Sequence, residues 1–379
     1  MKRIFLFVLM ALVWGSGTVA AQTPQMANIR KLYAQAKERI NDNGKGGRAP
    51  MDMTVTVEDG VYVDEYLIIN DVTILQFFFS RKASSTEDGM SEPAQCYFIT
   101  ENWSANGHLR YREQLFDPVT GHLLFSFMRV ETHAGFVEES RYYYDADGRL
   151  IDQKHKVGND ETTAVGDLGE ETAGHTAEKE LAARYLQVFE QMLNVRDDVP
   201  ASGFAKTKMS PNAARMKTIR SRYAEATQKV ADNEKSEVQR DLKIVVHDQR
   251  SASMPPEVTE LQLFYEDVVD SPVADAGTVA EEGVSMKRHC YFMTEHHHNN
   301  RMGFDNYREW LFAPKSNSLI FSYSNVKEEG EQMEWRYYFD EHGRCIEAKT
   351  EADDVDNGQT DKVVAKRYLK VFNLLSDVE

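Results

Sequence analysis

The sequence predicts an α+β protein built from two tandem homologous domains, each running helix, antiparallel β-meander, helix. Three observations carry that prediction. One stretch occurs twice: Tyr111-Arg112-Glu113-Gln114-Leu115-Phe116-Asp117-Pro118 returns as Tyr307-Arg308-Glu309-Trp310-Leu311-Phe312-Ala313-Pro314, and Arg141-Tyr142-Tyr143-Tyr144-Asp145 as Arg336-Tyr337-Tyr338-Phe339-Asp340. Both copies alternate apolar and polar residues between turn signals, the pattern of half-buried strands. Each copy is flanked by segments of helical period, and a chain of 379 residues has room for two domains.

Residues 1–21 read as a cleaved signal peptide. Lys2 and Arg3 precede an apolar run from Ile4 to Trp14 that is too short to span a bilayer, and Val19-Ala20-Ala21 supplies small residues before a mature start at Gln22. No Cys follows the run, so a lipoprotein is not expected. The expected organisation is domain one over 22–195, a linker over 196–215 and domain two over 216–379, in the periplasm or outside the cell, with no membrane insertion. Losing Lys2 and Arg3 moves the formal net charge from −17 to −19. That charge repels nucleic acid, which is not expected as a partner.

Ala27–Ile40 places Ile29, Leu32, Tyr33 and Ala36 on one helical face, and Met216–Val230 repeats this with Ile219, Tyr223, Ala226 and Val230. Strands are expected at Met51–Val57, Tyr62–Ile69, Ile74–Ser80 and Cys96–Glu101, and again at Leu242–His247, Leu261–Tyr265 and Cys290–Glu295. Polar loops are expected at Lys82–Glu92 and Asp267–Ser285, and acidic ones at Gly158–Gly174 and Glu351–Gln359. Helices Ala177–Leu193 and Asp361–Leu375 close the copies, with Arg184-Tyr185-Leu186 matching Arg367-Tyr368-Leu369.

Asp145-Ala146-Asp147-Gly148 and Asp340-Glu341-His342-Gly343 read as four-residue hairpin turns, in which Asp bonds the backbone two residues on and Gly supplies a positive φ. A second turn has Gly121 in the first copy and Asn317, the usual substitute at positive φ, in the second. Tyr144-Asp145-Ala146-Asp147-Gly148-Arg149-Leu150 resembles the Tyr-Asp-x-x-Gly-Arg-Leu unit of YD-repeat (Rhs-type) proteins. Phe339-Asp340-Glu341-His342-Gly343-Arg344-Cys345 follows it with Phe for Tyr and Cys for Leu. That family strings many such units into a large β-shell. Here each copy has one, so the resemblance implies the hairpin and no function.

The candidate ligand-binding residues are Tyr111, Arg112 and Arg141 with Tyr307, Arg308 and Arg336. The arginines could form contact patches, and Trp103, Trp310 and Trp335 could add stacking surfaces. The competing reading is cross-strand charge pairing for the Tyr-Arg-Glu triplets and core for the tryptophans. His296 and His298 point the same way on an extended strand and are the weak metal candidates, within a His296-His297-His298 triplet read as a loop. Cys96 and Cys290 read as small core residues, and a Cys290–Cys345 disulfide is open. Asp354-Val355-Asp356-Asn357-Gly358 lacks the spacing of a Ca²⁺ loop and reads as a solvated acidic loop. The sequence has no nucleophile elbow, zinc-protease, phosphate-loop or dinucleotide motif. The leading expectation is a non-catalytic binding protein without a cofactor, for an unknown protein or glycan. The alternatives are a hydrolase and a carrier of an apolar ligand.

Overall fold

The computed structural model describes residues 24–43, 45, 51–64, 67–80, 94–105, 108–165, 173–193, 212–249, 257–269, 286–299, 304–350 and 356–376, less positions 118, 133, 159, 237, 315, 329 and 357. The signal-peptide reading, most of the linker and the Lys82–Glu92 loop lie outside the described residues. Helix α1 (Pro24–Asn41) is followed by β1 (Asp52–Asp64), β2 (Leu67–Ser80), β3 (Gln95–Ala105), β4 (His108–Phe116), β5 (Leu123–Glu131), β6 (Val137–Tyr144), β7 (Leu150–Val157), β8 (Asp160–Val165) and α2 (Ala173–Leu193). Then come α3 (Ala213–Asn233), β9 (Asp241–Gln249), β10 (Glu257–Val269), β11 (Met286–Asn299), β12 (Phe304–Phe312), β13 (Leu319–Glu328), β14 (Glu331–Phe339), β15 (Cys345–Thr350) and α4 (Gln359–Ser376).

The expectation of two tandem α+β domains is wrong. All the described strands form one 15-stranded antiparallel sheet, in the order β15 down to β9, then β1 up to β8. Each meander is present, but β1 and β9 pair along their lengths, Asp52 opposite Gln249 through Asp59 opposite Leu242. The cause lies in the strands themselves. Met53, Val55 and Val57 alternate on one face of β1, and Leu242, Ile244 and Val246 do so on β9, all buried. As the free edge of a separate domain, either strand would offer unpaired backbone beside an apolar face, a template for aggregation. Joining the edges removes both. The outer edges are instead β8, with Asp160, and β15, with Glu347 and Lys349, whose charges discourage further pairing.

The seam has a centre. Asn43 Nδ2 donates to Asp52 Oδ1 at 2.7 Å, and Asn233 Nδ2 to Asp241 Oδ1 at 3.0 Å, so Asp52 and Asp241 hold matching places. Gln76 and Gln262 donate to the other oxygens of the same two carboxylates at 3.0 and 2.7 Å. Four residues beyond those aspartates stand Thr56 and Val245, and these two are paired with each other. The halves of the sheet therefore meet about a local two-fold axis at Thr56–Val245, perpendicular to the sheet.

Helices cover both faces. On one, α2 and α4 pack against each other and over both halves, burying Tyr185, Val188 and Phe189 beside Tyr368, Val371 and Phe372. Phe189 meets Phe77 and Phe79 with ring centroids 5.6 and 5.5 Å apart. On the other face α1 covers Phe78, Phe98, Leu115, Phe125 and Tyr143, a single row of cross-strand partners. Helix α3 covers the matching row Phe264, Phe292, Leu311, Phe321 and Tyr338. These rows run to Asp52 on β1 and Asp241 on β9, at opposite ends of the antiparallel seam. Among the described residues no helix covers the face between α1 and α3, which is largely polar, with Thr54, Thr56, Glu58, Lys243, Val245 and His247 at its middle.

Smaller corrections follow from the same pairing. Tyr62–Ile69 is not a strand of its own but the tip of the β1–β2 hairpin, Tyr62 opposite Ile69 and Asp64 opposite Leu67. The Gly158–Gly174 stretch contains β8 and the start of α2. The histidine triplet lies within β11, not in a loop. The turn chemistry is as read: φ is +76° at Gly148, +70° at Gly343 and +74° at Gly121, and Asn317 is the only non-glycine residue at positive φ among those described. The Asp145 carboxylate accepts from the backbone N–H groups of Asp147 and Arg149, and Asp340 from those of His342 and Arg344.

Candidate binding surface

Strand alternation splits the predicted site between the two faces of the sheet. Arg112 and Arg308 face α2 and α4. Arg112 is buried against Glu101 and Glu178, with Nε 3.1 Å from Glu178 Oε1. Ser126 donates to the other Glu178 oxygen at 2.7 Å. Arg308 lies 3.4 Å from Glu295 and 3.8 Å from Asp361, while Ser322 donates to Asp361 at 2.5 Å and Tyr368 to Glu295 at 2.7 Å. Against the cost of burial, the flanking carboxylates hold both guanidiniums above their usual pKa. Burial pushes Asp361 above the usual carboxylate range, opposed by Arg308. These arginines fasten helices to the sheet, Arg112 buried and Arg308 with 18% of its side chain exposed.

Tyr111, Arg141, Tyr307 and Arg336 lie on the open face. Of the four, Arg336 alone lines a cleft of about 390 Å³ beside α3, together with Ile219, Arg220, Tyr223, Phe321, Tyr323 and Tyr338. Its walls are ordered by ring packing: Tyr223 on Phe321 at 4.8 Å, Phe321 on Tyr338 at 5.1 Å, and the Arg336 guanidinium over Tyr323 at 5.2 Å. The same set stands beside α1. There Tyr33 meets Phe125 at 5.2 Å, Phe125 meets Tyr143 at 5.0 Å, and Arg141 lies over Phe127 at 5.2 Å.

One glutamate anchors two tyrosines at each site. Tyr111 donates to Glu113 at 2.5 Å and Tyr33 donates to the same carboxylate, which Lys37 also meets at 2.9 Å. Tyr223 and Tyr307 donate to Glu309 at 2.5 and 2.9 Å. Burial, with the neighbouring carboxylate, raises all four tyrosine pKa values. They stay protonated and act as donors. Arginines and aromatic rings around a shallow concavity suit a ligand that carries a carboxylate beside an apolar or planar group.

The remaining candidates fall elsewhere. Trp310 is fully buried under α4, Trp335 packs against the core, and Trp103 lies under the Arg110 guanidinium at 4.8 Å. All three cysteines are free and buried, and burial pushes their thiols up, Cys345 to about 11. Asp356 caps α4, accepting from the backbone N–H groups of Gly358 and Thr360 at 2.7 and 2.8 Å. His296 and His298 share a face of β11 with Asp305 of β12 near by. The reading of the strands did not single out Arg30, Tyr33, Arg220 or Tyr223, which come from the helices. Their signal was the recurrence of Ile29, Arg30 and Tyr33 as Ile219, Arg220 and Tyr223. No helix among the described residues is long and apolar enough to cross a membrane. The chain matches no known family model, and no curated protein matches it in sequence.

Proposed function

We propose that the protein is a non-catalytic binding protein, carried out of the cytoplasm by residues 1–21, that arose by internal duplication and offers two related arginine–aromatic sites on one face, the one beside α3 a cleft. The observation that carries this reading is the recurrence of the arginine–aromatic set, with its paired tyrosines on one glutamate, beside both α1 and α3. The ligand class is a protein or glycan bearing carboxylates next to apolar or planar groups. Two sites on one rigid sheet favour a partner that presents two such groups. The second contact is then intramolecular, at an effective concentration of around the millimolar range.

The test is an array of acidic peptides and uronate-containing glycans probed with the full chain and two variants, R220A/R336A and R30A/R141A. The expected result is retention of acidic array members by the wild type and loss of the same members by both variants. Retention unchanged in both variants sinks the proposal, as does turnover of any array member. Export is tested separately: the mature protein should begin at Gln22 by mass spectrometry, and retention of Met1 in the cell envelope overturns that part.

A further inference from the structure

We propose that His296, His298 and Asp305 form a binding site for one divalent late transition-metal ion, zinc foremost. None of the three lines the cleft beside α3, and the site does not depend on that cleft's ligand. His296 and His298 are two residues apart on β11 and so project from the same face of the sheet. Asp305, on β12, is the cross-strand partner of His298. His296 Nε2 lies 2.7 Å and His298 Nδ1 3.3 Å from Asp305 Oδ1, and the three ligand atoms fall within 4.8 Å of one another. Ligands about 2.0–2.1 Å from a tetrahedral zinc stand roughly 3.3 Å apart. Two of the three separations are at or below that spacing and the third is within 4.8 Å, so side-chain movements on a paired ladder would suffice to load the ion.

The donor set fits the ion. Two neutral imidazoles and one carboxylate suit zinc and its late-transition neighbours and suit magnesium or calcium poorly. The three side chains are 37–45 % exposed, so an ion can enter and a fourth position is left to water. Around them, Glu260 of β10 and Tyr307 of β12 are the cross-strand partners of His296, and Lys327 of β13 is that of Asp305. Glu260 adds negative potential for a cation. The first half offers no second site. Counting from the paired rows, Asn102, Ser104 and Leu109 stand where His296, His298 and Asp305 stand. The stoichiometry should therefore be one ion per chain.

The experiment is a zinc titration of untagged full-length protein by calorimetry, with competition against a chromogenic chelator and thermal melts with and without zinc. The wild type should bind one zinc per chain and melt at a higher temperature when loaded, since an ion bound only to the folded state stabilises it. H296N/H298S, which installs the first half's Asn102 and Ser104, should abolish both effects. D305N, a near-isosteric change at an exposed position, should weaken binding by roughly tenfold or more. Equal melting of apo wild type and apo variants shows that the fold is intact. If an apo variant melts lower, its far-UV spectrum and D305N alone decide the matter. The absence of saturable binding by the wild type overturns the proposal, as does unchanged stoichiometry and affinity in H296N/H298S.

Discussion

Arg112 and Arg308 look identical in sequence to surface residues of an alternating strand, yet each lies between two carboxylates beside a helix, Arg112 buried and Arg308 partly so. Their alternation was legible, and so was their pointing away from Tyr and Glu. What covers that face was not, because the covering helices α2 and α4 come from elsewhere in the chain. Replacing either arginine with Met should cost about 3–5 kcal/mol in denaturant unfolding, since two carboxylates are left buried without their cation. Asp361 adds a pH signature. Its folded pKa lies above the unfolded value, so its contribution to stability is fully present below the ordinary carboxylate pKa and is lost as pH rises through the raised one. The stability of wild type minus that of D361N should therefore decline as pH increases from about 4. Turn residues were readable because turn chemistry is local. Gly148→Ala and Gly343→Ala should each cost about 1 kcal/mol, from strain at positive φ. Gly358→Ala should cost clearly more, because a Cβ there would lie 2.7 Å from Tyr337 and 2.8 Å from Phe339. Equal effects in chemical unfolding at all three would contradict that ranking.

At the scale of elements, all four helices and most strands follow from periodicity, and the exceptions share one cause. A strand's pattern shows that one face is buried, but it does not name the neighbour. That is why the β1–β9 seam, the placing of Tyr62–Ile69 in a hairpin tip and the membership of the histidine triplet in β11 appear only in the assembled sheet. β8 was hidden by its polar composition, as charged edge strands are. The seam has a direct consequence for how the chain comes apart. A protease site introduced at 200–205, between α2 and α3, and then cleaved should leave two fragments that co-elute in gel filtration under native conditions. They are held by the β1–β9 ladder and by the shared α2–α4 core. Two independently eluting fragments would show that the seam does not hold the halves together.

On the scale of the whole molecule, one core running under α2 and α4 through both halves makes the chain a single folding unit. Thermal and denaturant melts should therefore show one cooperative transition by both fluorescence and far-UV dichroism, whereas two resolved transitions would restore the independent domains that the duplication first suggested. The recurrence of the Tyr-Arg-Glu and Arg-Tyr-Tyr stretches was plain in the order of residues, while the manner in which the two halves of the sheet meet was not, because it depends on which edges seek each other. That meeting sets a handedness of approach that neither copy has alone. The Thr56–Val245 pair relates the halves by a half-turn about an axis through the sheet, and the arginine–aromatic sets beside α1 and α3 lie on the same side. A chain-like ligand lying across the protein therefore runs one way past the first set and the opposite way past the second. A polymer with a direction, such as an extended peptide or a linear glycan, can match the two only by doubling back. A partner with its own two-fold axis matches both at once.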